Sequence, residues 1–395
     1  MTVRYIIGDT RDVTATMPDG SVDLVLTSPP FLALRSYLPA DHPDKHREIG
    51  SEAAPAAFLD TLLELTAEWG RVLAPHGTLA VELGDTYSSL GGTTDNRDSS
   101  LGGNDMVPRS RGGGAGWPLA KSKALIPELY RIALAYGINP LTGKESPAGR
   151  WRVRNVVTWC RPNPPVGALG DKFRPATSDM VIACRASDRW FDLDAVRTPA
   201  SPDTPRGITR AEGTKHDRGN FGTMREVTGA HPAGAPPLDY WVIPPGGYGG
   251  SHYAVYPPEL CRIPIEAMCP RQVCTVCGRP RRRMVGEAEY VNPDGSPHTP
   301  HVWSSGVASG LAAHTNKKDG GITATRPTLG WTDCGHDSWR NGIVLDPFGG
   351  SGTTGMVATG LGRDAILIDI DERNADLARE RIGMFLEVED ARRAA

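Results

Sequence analysis

The sequence predicts an α/β protein with a doubly wound, mostly parallel sheet. Three observations carry that expectation. Apolar strand patterns alternate with helical patterns at both ends of the chain. A glycine turn, VLDPFGGSGTTG at Val344–Gly355, follows a strand and opens a helix. An apolar run, VDLVLT at Val22–Thr27, stops against Ser28-Pro29-Pro30-Phe31.

In chain order, Val3 to Ile7 reads as a short strand ended by Gly8-Asp9, and Val22 to Leu26 as a second. From Pro55 a helix is expected, because Phe58, Leu62, Leu65, Trp69 and Val72 share one face at 3.6 spacing. Pro75-His76-Gly77 should end it, with Thr78 to Leu83 returning as a strand into Gly84-Asp85. Residues 88–116 are rich in Gly, Ser, Asn and Asp and cannot build a core, which predicts a mobile loop. Leu125 to Tyr136 reads as an amphipathic helix, and Trp151–Trp159 and Met180–Cys184 as strands. Residues 200–240 are Pro/Gly-rich and irregular, and 269–340 hold a cysteine cluster. The end is regular: strand Ile343–Leu345, glycine turn, helix, strand Ala365–Ile368, helix Glu372–Phe385. There is no internal repeat.

The chain of 395 residues can bury one large core or two ordinary ones. A net charge of −3 announces no polyanion partner, although an average can hide a local basic face. The start, MTVRYIIGDT, lacks the basic and long apolar regions of a signal peptide, and no apolar run is long enough to span a membrane. A cytoplasmic protein without membrane association is expected. With 46 glycines and 34 prolines, long loops around a regular core are expected too.

Gly350, Gly352 and Gly355 form G-x-G-x-x-G, and Asp369 ends the next strand about 20 residues on. Such glycines let backbone approach a ligand, while the carboxylate takes ribose hydroxyls. The plainer alternative is a turn that merely packs a helix closely. The fingerprint lies about 45 residues from the C-terminus, too near it for the rest of a dinucleotide half-site. The ligand site must then be completed from the beginning of the chain, as a circularly permuted fold would do. At the other motif, two prolines fix their own φ and push the preceding residues toward extended backbone. The result is a stiff turn presenting the Ser28 hydroxyl, rigid carbonyls and the Phe31 ring at the carboxyl edge of the sheet, where open α/β folds bind ligands.

Together these motifs resemble the beta class of S-adenosylmethionine-dependent DNA amino-methyltransferases. Asp346-Pro347-Phe348-Gly349-Gly350-Ser351-Gly352-Thr353-Thr354 is similar to their cofactor motif, and Thr27-Ser28-Pro29-Pro30-Phe31 to their catalytic motif, in the beta-class order. Gly8-Asp9 resembles the adenine contact. Trp159–Pro164 resembles the segment before target recognition, and His252–Leu260 the segment closing over the methionine part of the cofactor. The likeness covers residues 1–85, 120–200, 240–268 and 340–390. It implies a circularly permuted Rossmann-like methyltransferase sheet with an inserted target-recognition region, to which the cysteine spacing described below adds a small zinc-binding insertion. The expected division is 1–165 as catalytic half with a mobile loop 86–118, and 166–250 for target recognition. The cofactor half is expected at 251–268 and 341–395, with the zinc insertion at 269–340.

The resemblance implies Ser28, Pro29, Pro30 and Phe31 as catalytic residues. It implies Asp9, Thr27, Asp346, Pro347, Phe348, Gly350, Gly352, Thr353, Thr354 and Asp369 around S-adenosylmethionine. Double-stranded DNA is the expected partner, with a homodimer and a paired restriction nuclease left open. Serine in the first motif position with phenylalanine in the fourth resembles the cytosine-N4 subgroup; adenine-N6 enzymes usually carry Asp and Tyr. A nicotinamide oxidoreductase on the same glycine fingerprint is the rival from another class.

Cys274-Thr275-Val276-Cys277 is a C-x-x-C knuckle, and Cys334-Gly335-His336 supplies a second pair. Three thiolates and one imidazole suit a closed structural zinc, with Cys269 a competitor for one place. Two acid-free basic runs, Arg150–Arg161 and Arg271–Arg283, are expected to contact phosphates.

Overall fold

The computed structural model describes residues 1–89, 112–164, 170–198, 234–245, 256–287, 289–291, 296, 323–325 and 327–393. Strand β1 (Val3–Ile7) is followed by helix α1 (Thr10–Thr16) and by β2 (Val22–Thr27), buried at every position. A strand covered on both faces reads as a continuous apolar run, as Val22–Leu26 does apart from Asp23. Helix α2 (Pro55–Val72) carries its proline in the first turn, and Phe58, Leu62, Leu65, Trp69 and Val72 are all buried. Strand β3 (Leu73–Leu83) then begins without a break. Pro75-His76-Gly77 therefore does not end the helix. It lies inside β3, where the register with β2 jumps from Val22↔Leu73 to Leu24↔Thr78. A proline without a ladder donor is tolerated at such a bulge.

Next come α3 (Ile126–Tyr136), β4 (Arg152–Cys160), β5 (Thr177–Cys184), β6 (Tyr240–Val242) and α4 (Pro258–Met268). Short strands follow: β7 (Gln272–Cys274), β8 (Arg283–Val285), β9 (Glu289–Val291), β10 (Thr323–Thr325), β11 (Thr328–Trp331) and β12 (Trp339–Asn341). The chain ends with β13 (Ile343–Asp346), α5 (Thr353–Gly360), β14 (Asp364–Asp369), α6 (Arg373–Ile382) and β15 (Leu386–Asp390). The last helix stops earlier than its periodicity suggests, because Gly383 takes φ 66°. The chain behind it adds β15 to the sheet.

Two units divide the chain: Met1–Phe191, Leu238–Pro280 and His336–Ala395 in the first, Asp192–Pro237 and Arg281–Gly335 in the second. The first holds a nine-stranded sheet ordered β15-β1-β14-β13-β2-β3-β5-β4-β6. The ladder is parallel from β15 to β3, β5 is antiparallel to both neighbours, and β6 runs parallel to β4. Helices α1, α2 and α3 pack on one another, as do α4, α5 and α6, giving two helical layers and the doubly wound architecture expected. The strands of the C-terminal glycine unit are completed by β1, which lies between β14 and β15. The order of strands reverses between β13 and β2, so their carboxyl ends form the crevice where ligands bind in such sheets.

The second unit contains two antiparallel ribbons, β8–β11 and β9–β10. The buried Asp192 carboxylate accepts from Arg283 at 2.7–3.2 Å, and the Arg283 guanidinium lies 5.0 Å over Trp331. Residues 90–111 of the expected loop, and 166–169, 199–233 and 246–250 of the expected recognition region, fall outside the described residues. What is described of the loop has an ordered base: Tyr87 bridges Lys123, and Ser88 and Ser89 bond to Ser122, Lys121 and Gly112. Among the described residues, no helix is long and apolar enough to cross a membrane.

The amino end of the β2–β13 pair is clamped by Asp23, which is fully buried. Arg340 pairs with both its oxygens at 2.6 and 3.1 Å, the Ile343 N–H donates at 2.8 Å, and His76 lies at 2.9 Å. Burial alone would raise this carboxyl; hydrogen bonds from His76 and Arg340 outweigh it and hold it below the usual range. The ionised clamp therefore stabilises the fold above the ordinary carboxylate pKa and weakens as pH falls below it. Removing one partner of a buried pair leaves an uncompensated charge. Arg340→Met should lower stability by about 3–5 kcal/mol in urea unfolding at pH 7. An unchanged unfolding midpoint would show that the clamp contributes nothing.

Candidate functional site

Both sequence motifs meet at the carboxyl edge of β2 and β13. The Thr27 hydroxyl donates to the Asp346 carboxylate at 2.7 Å, across 319 residues of sequence. Asp346 is 1% exposed and also accepts from Thr354 Oγ1 at 2.6 Å, the Tyr256 hydroxyl at 2.9 Å and the Phe348 N–H at 3.1 Å. Burial raises its pKa, and these four donors oppose the rise. Asp346, Thr27 and Thr354 thus hold one another, and the carboxylate's acceptor positions are taken by the chain itself. Pro347 is buried, and Phe348 packs edge-on against Trp69, 6.2 Å between centroids. Thr353 is buried in the first turn of α5. His252–Val255 lie outside the described residues.

The glycine turn is set by its packing as much as by any ligand. Gly352 has φ 81°, and an added Cβ there would come within 2.9 Å of Ala378 and Ile382 in α6. The glycine is required for backbone conformation and close helix packing, so the plainer alternative accounts for this position. Gly350 behaves differently. Its N–H donates to Asp369 Oδ2 at 2.8 Å, and its carbonyl accepts from the Tyr5 hydroxyl at 2.8 Å. Asp369 also accepts from the Asp371 N–H at 2.8 Å, and burial lifts its pKa to about 6. Asp9 caps α1 through the Arg11 N–H at 2.8 Å and pairs with Arg47 at 2.9 Å. Beside it the Thr10 hydroxyl is buried without a partner. Four carboxylates, Asp9, Asp346, Asp369 and Asp371, therefore end or follow three adjacent strands. Asp346, Asp9 and Asp371 are engaged by the chain's own donors, and Asp369, held by two backbone N–H groups, keeps acceptor capacity that suits ribose hydroxyls better than a pyrophosphate.

At the next strand, Ser28 Oγ donates to Glu82 Oε2 at 2.5 Å. Glu82 is 4% exposed and hydrogen-bonded to Ser178; burial raises its pKa, with the Ser178 and Ser28 hydroxyls and the Arg161 charge opposing. Arg161 donates to Ser178 at 2.9 Å and stacks 4.8 Å over Trp159. Pro29 is buried and Pro30 partly so. The Phe31 ring lies on Gly84, where an added Cβ would come within 2.5 Å of it. Glu82, Ser178 and Gly84 escaped the sequence reading. The signal for Glu82 was present: one carboxylate within the apolar run LAVEL. Of the first basic run, Arg161 lies at this edge. Arg154 lies seven residues earlier on β4, roughly 23 Å along the strand.

The expected metal ligands come together. One ligand atom from each of Cys274, Cys277, Cys334 and His336 lies within 4.8 Å of the others. Cys274 Sγ is 3.6 Å from His336 Nδ1, and the Val276 and Cys277 N–H groups point at the same sulfur. Three thiols and an imidazole this close fit a tetrahedral zinc. Cys269 stays apart, buried where Gly342 and Pro270 cross. The knuckle begins at the end of β7, whose partner β12 leads into the amino end of β13, away from Ser28 and Asp346.

A family model described as DNA methylase, of N6 and N4 type, matches residues 22–273 and 329–380. Over 382 residues the chain is 24% identical to the type II methyltransferase M.SmaI of Serratia marcescens, covering 96% of this chain and 90% of that one. It is 28% identical over 264 residues to the type II methyltransferase M.XycI of Xanthomonas campestris pv. cyanopsidis, covering 66% and 70%. Among solved structures, the PvuII DNA methyltransferase (cytosine-N4-specific) aligns over 99% of this chain and 95% of its own. That alignment has 14% identity and a TM-score of 0.45.

Proposed function

The chain belongs to the DNA methylase family of N6 and N4 type, and from that premise we propose that it methylates the N4 amine of a flipped cytosine in double-stranded DNA. S-adenosylmethionine, held against Asp369, Gly350 and the end of β13, would supply the electrophilic methyl group. The observation that carries the reading is the Ser28–Glu82 hydrogen bond beside a rigid proline turn. An exocyclic amine is a weak nucleophile because its lone pair is delocalised into the ring, and the base must leave the duplex to be reached. With its own proton given to Glu82, Ser28 Oγ keeps lone pairs free to accept from the amine. A carbonyl of the proline turn can take the second N–H, favouring a pyramidal nitrogen. Phe31 offers a stacking face for the base. The proton released by the amine can pass through Ser28 to Glu82, whose raised pKa makes it a better acceptor than an ordinary carboxylate. Positioning supplies much of the acceleration.

Serine and phenylalanine in the motif favour cytosine over adenine. The similarity to type II methyltransferases supports a nuclease partner cutting the same site and a cytoplasmic place of action. Residues 166–250 are assigned to target recognition on the motif order. Zinc at Cys274, Cys277, Cys334 and His336 would pin the base of the 269–340 insertion as a closed structural site, remote from the chemistry.

Nucleoside mass spectrometry of DNA from cells expressing the protein should find N4-methylcytosine. N6-methyladenine would keep the chemistry and refute the base, and unmodified DNA would refute both. Ser28→Ala should cost about 10²–10³ in turnover while sparing cofactor affinity. Glu82 accepts protons only when ionised, and burial raises its pKa, so the rate should fall as pH drops through a value above the ordinary carboxylate range. Glu82→Gln should be slow and lose that acid limb; an unchanged pH profile would rule Glu82 out. Protein purified without added metal should carry about one zinc per chain by elemental analysis, lost with Cys277→Ser together with thermal stability. Equal stability without metal would overturn the zinc assignment.

A further inference from the structure

We propose that Phe173 is the wedge that enters the DNA stack when the target base leaves it, an inference that rests on the DNA methyltransferase reading above. Phe173 is 98% exposed, whereas Phe31 and Tyr87 at the same edge are partly buried. Its surroundings are nonetheless anchored. Lys172 Nζ sits 3.8 Å from the Tyr87 ring centre, Asp171 pairs with Lys121 at 2.9 Å, and the Ala176 carbonyl accepts from the Arg161 N–H at 2.8 Å. A fully exposed phenyl on a segment held at three points is presented outward by its backbone.

Its place in the fold gives it a use. Four residues after Phe173, β5 begins at Thr177, paired with the last residue of β4. The next residue, Ser178, bonds to Glu82, which accepts from Ser28. Tyr87, under Lys172, stands three residues past Gly84, on which the Phe31 ring rests. The exposed ring therefore stands at the edge of the sheet that would receive a flipped base. Flipping leaves a gap flanked by two unstacked neighbours, and an apolar side chain inserted into a base step can fill such a gap. Lys172 and Arg174 flank Phe173 in the chain, and Lys123 bridges Tyr87 beneath Lys172, which places basic side chains beside the phosphates that border the step.

The test compares wild type, Phe173→Ala and Phe173→Trp on a duplex carrying the site mapped by sequencing of modified positions. The same duplex with the target base facing a mismatch is run in parallel. A mismatched base is cheap to extrude, so a wedge matters less there. Phe173→Ala should lose about tenfold to a hundredfold in kcat/KM on the paired duplex and only about threefold or less on the mismatched one. Phe173→Trp should stay near wild type on both, and S-adenosylmethionine affinity should be unchanged in all three proteins. Wild-type rates for Phe173→Ala on the paired duplex, or equal losses on both duplexes, would overturn the wedge. Wild-type protein that methylates no DNA would instead sink the methyltransferase reading, and the wedge with it.

Discussion

The hydrogen bond from Thr27 to Asp346 is the constraint on which the rest of the site depends. It joins the residue before the proline turn to the residue before the glycine turn, and it is buried, so neither group can turn to water instead. The pair of strands beneath it is clamped reciprocally. At one end a carboxylate of β13 accepts from β2; at the other, Asp23 of β2 accepts from Arg340 of β12 and from Ile343 at the start of β13. Two buried acids thus fix how β2 and β13 lie side by side, and that relation sets where the Ser28 hydroxyl stands relative to the glycine turn.

Chain order matters little to this arrangement. A parallel sheet stabilises neighbours through ladder bonds and buried faces, whatever their separation in sequence. Here β1 lies between β14 and β15, so the N-terminal strand completes the C-terminal half. Tyr5 makes the connection concrete: its hydroxyl reaches across the sheet edge to the Gly350 carbonyl. The ribbon β7–β12 enters β13 through Gly342, whose missing side chain lets the backbone pass Pro270 and Cys269. A metal at the far end of that ribbon would act on the site only through the strand it steadies.

Carboxylates along this edge do different work because their partners differ. Asp346 is saturated by hydroxyls and a backbone N–H and acts as a fastening. Asp369, with two backbone N–H partners and a pKa of about 6, holds the glycine turn and retains acceptor capacity for a ligand. Glu82 meets hydroxyl donors from Ser28 and Ser178 and lies within reach of the Arg161 and Asp179 charges; burial is the largest influence and raises its pKa. Residue type alone could not have separated these roles.

The sequence by itself determined seven of the nine strands of the main sheet, the two motifs and the knuckle. Each is a local pattern: period 3.6 in Phe58–Val72, an unbroken apolar run at Val22–Leu26, glycines at fixed spacing, cysteines two apart. The motif order, with the proline turn first and the glycine turn last, also led to the expectation that the two ends share one sheet, as β1 between β14 and β15 shows. Tertiary structure alone decided what surrounds Ser28. Glu82 arrives from β3 to bond it and Ser178 from β5 to bond Glu82, and pairing between distant strands leaves no mark in local periodicity. It decided that Gly352 serves the approach of α6, since only the folded chain says what a Cβ would strike. It also separated Arg154 from Arg161, because seven residues that are close in sequence span most of a strand once extended.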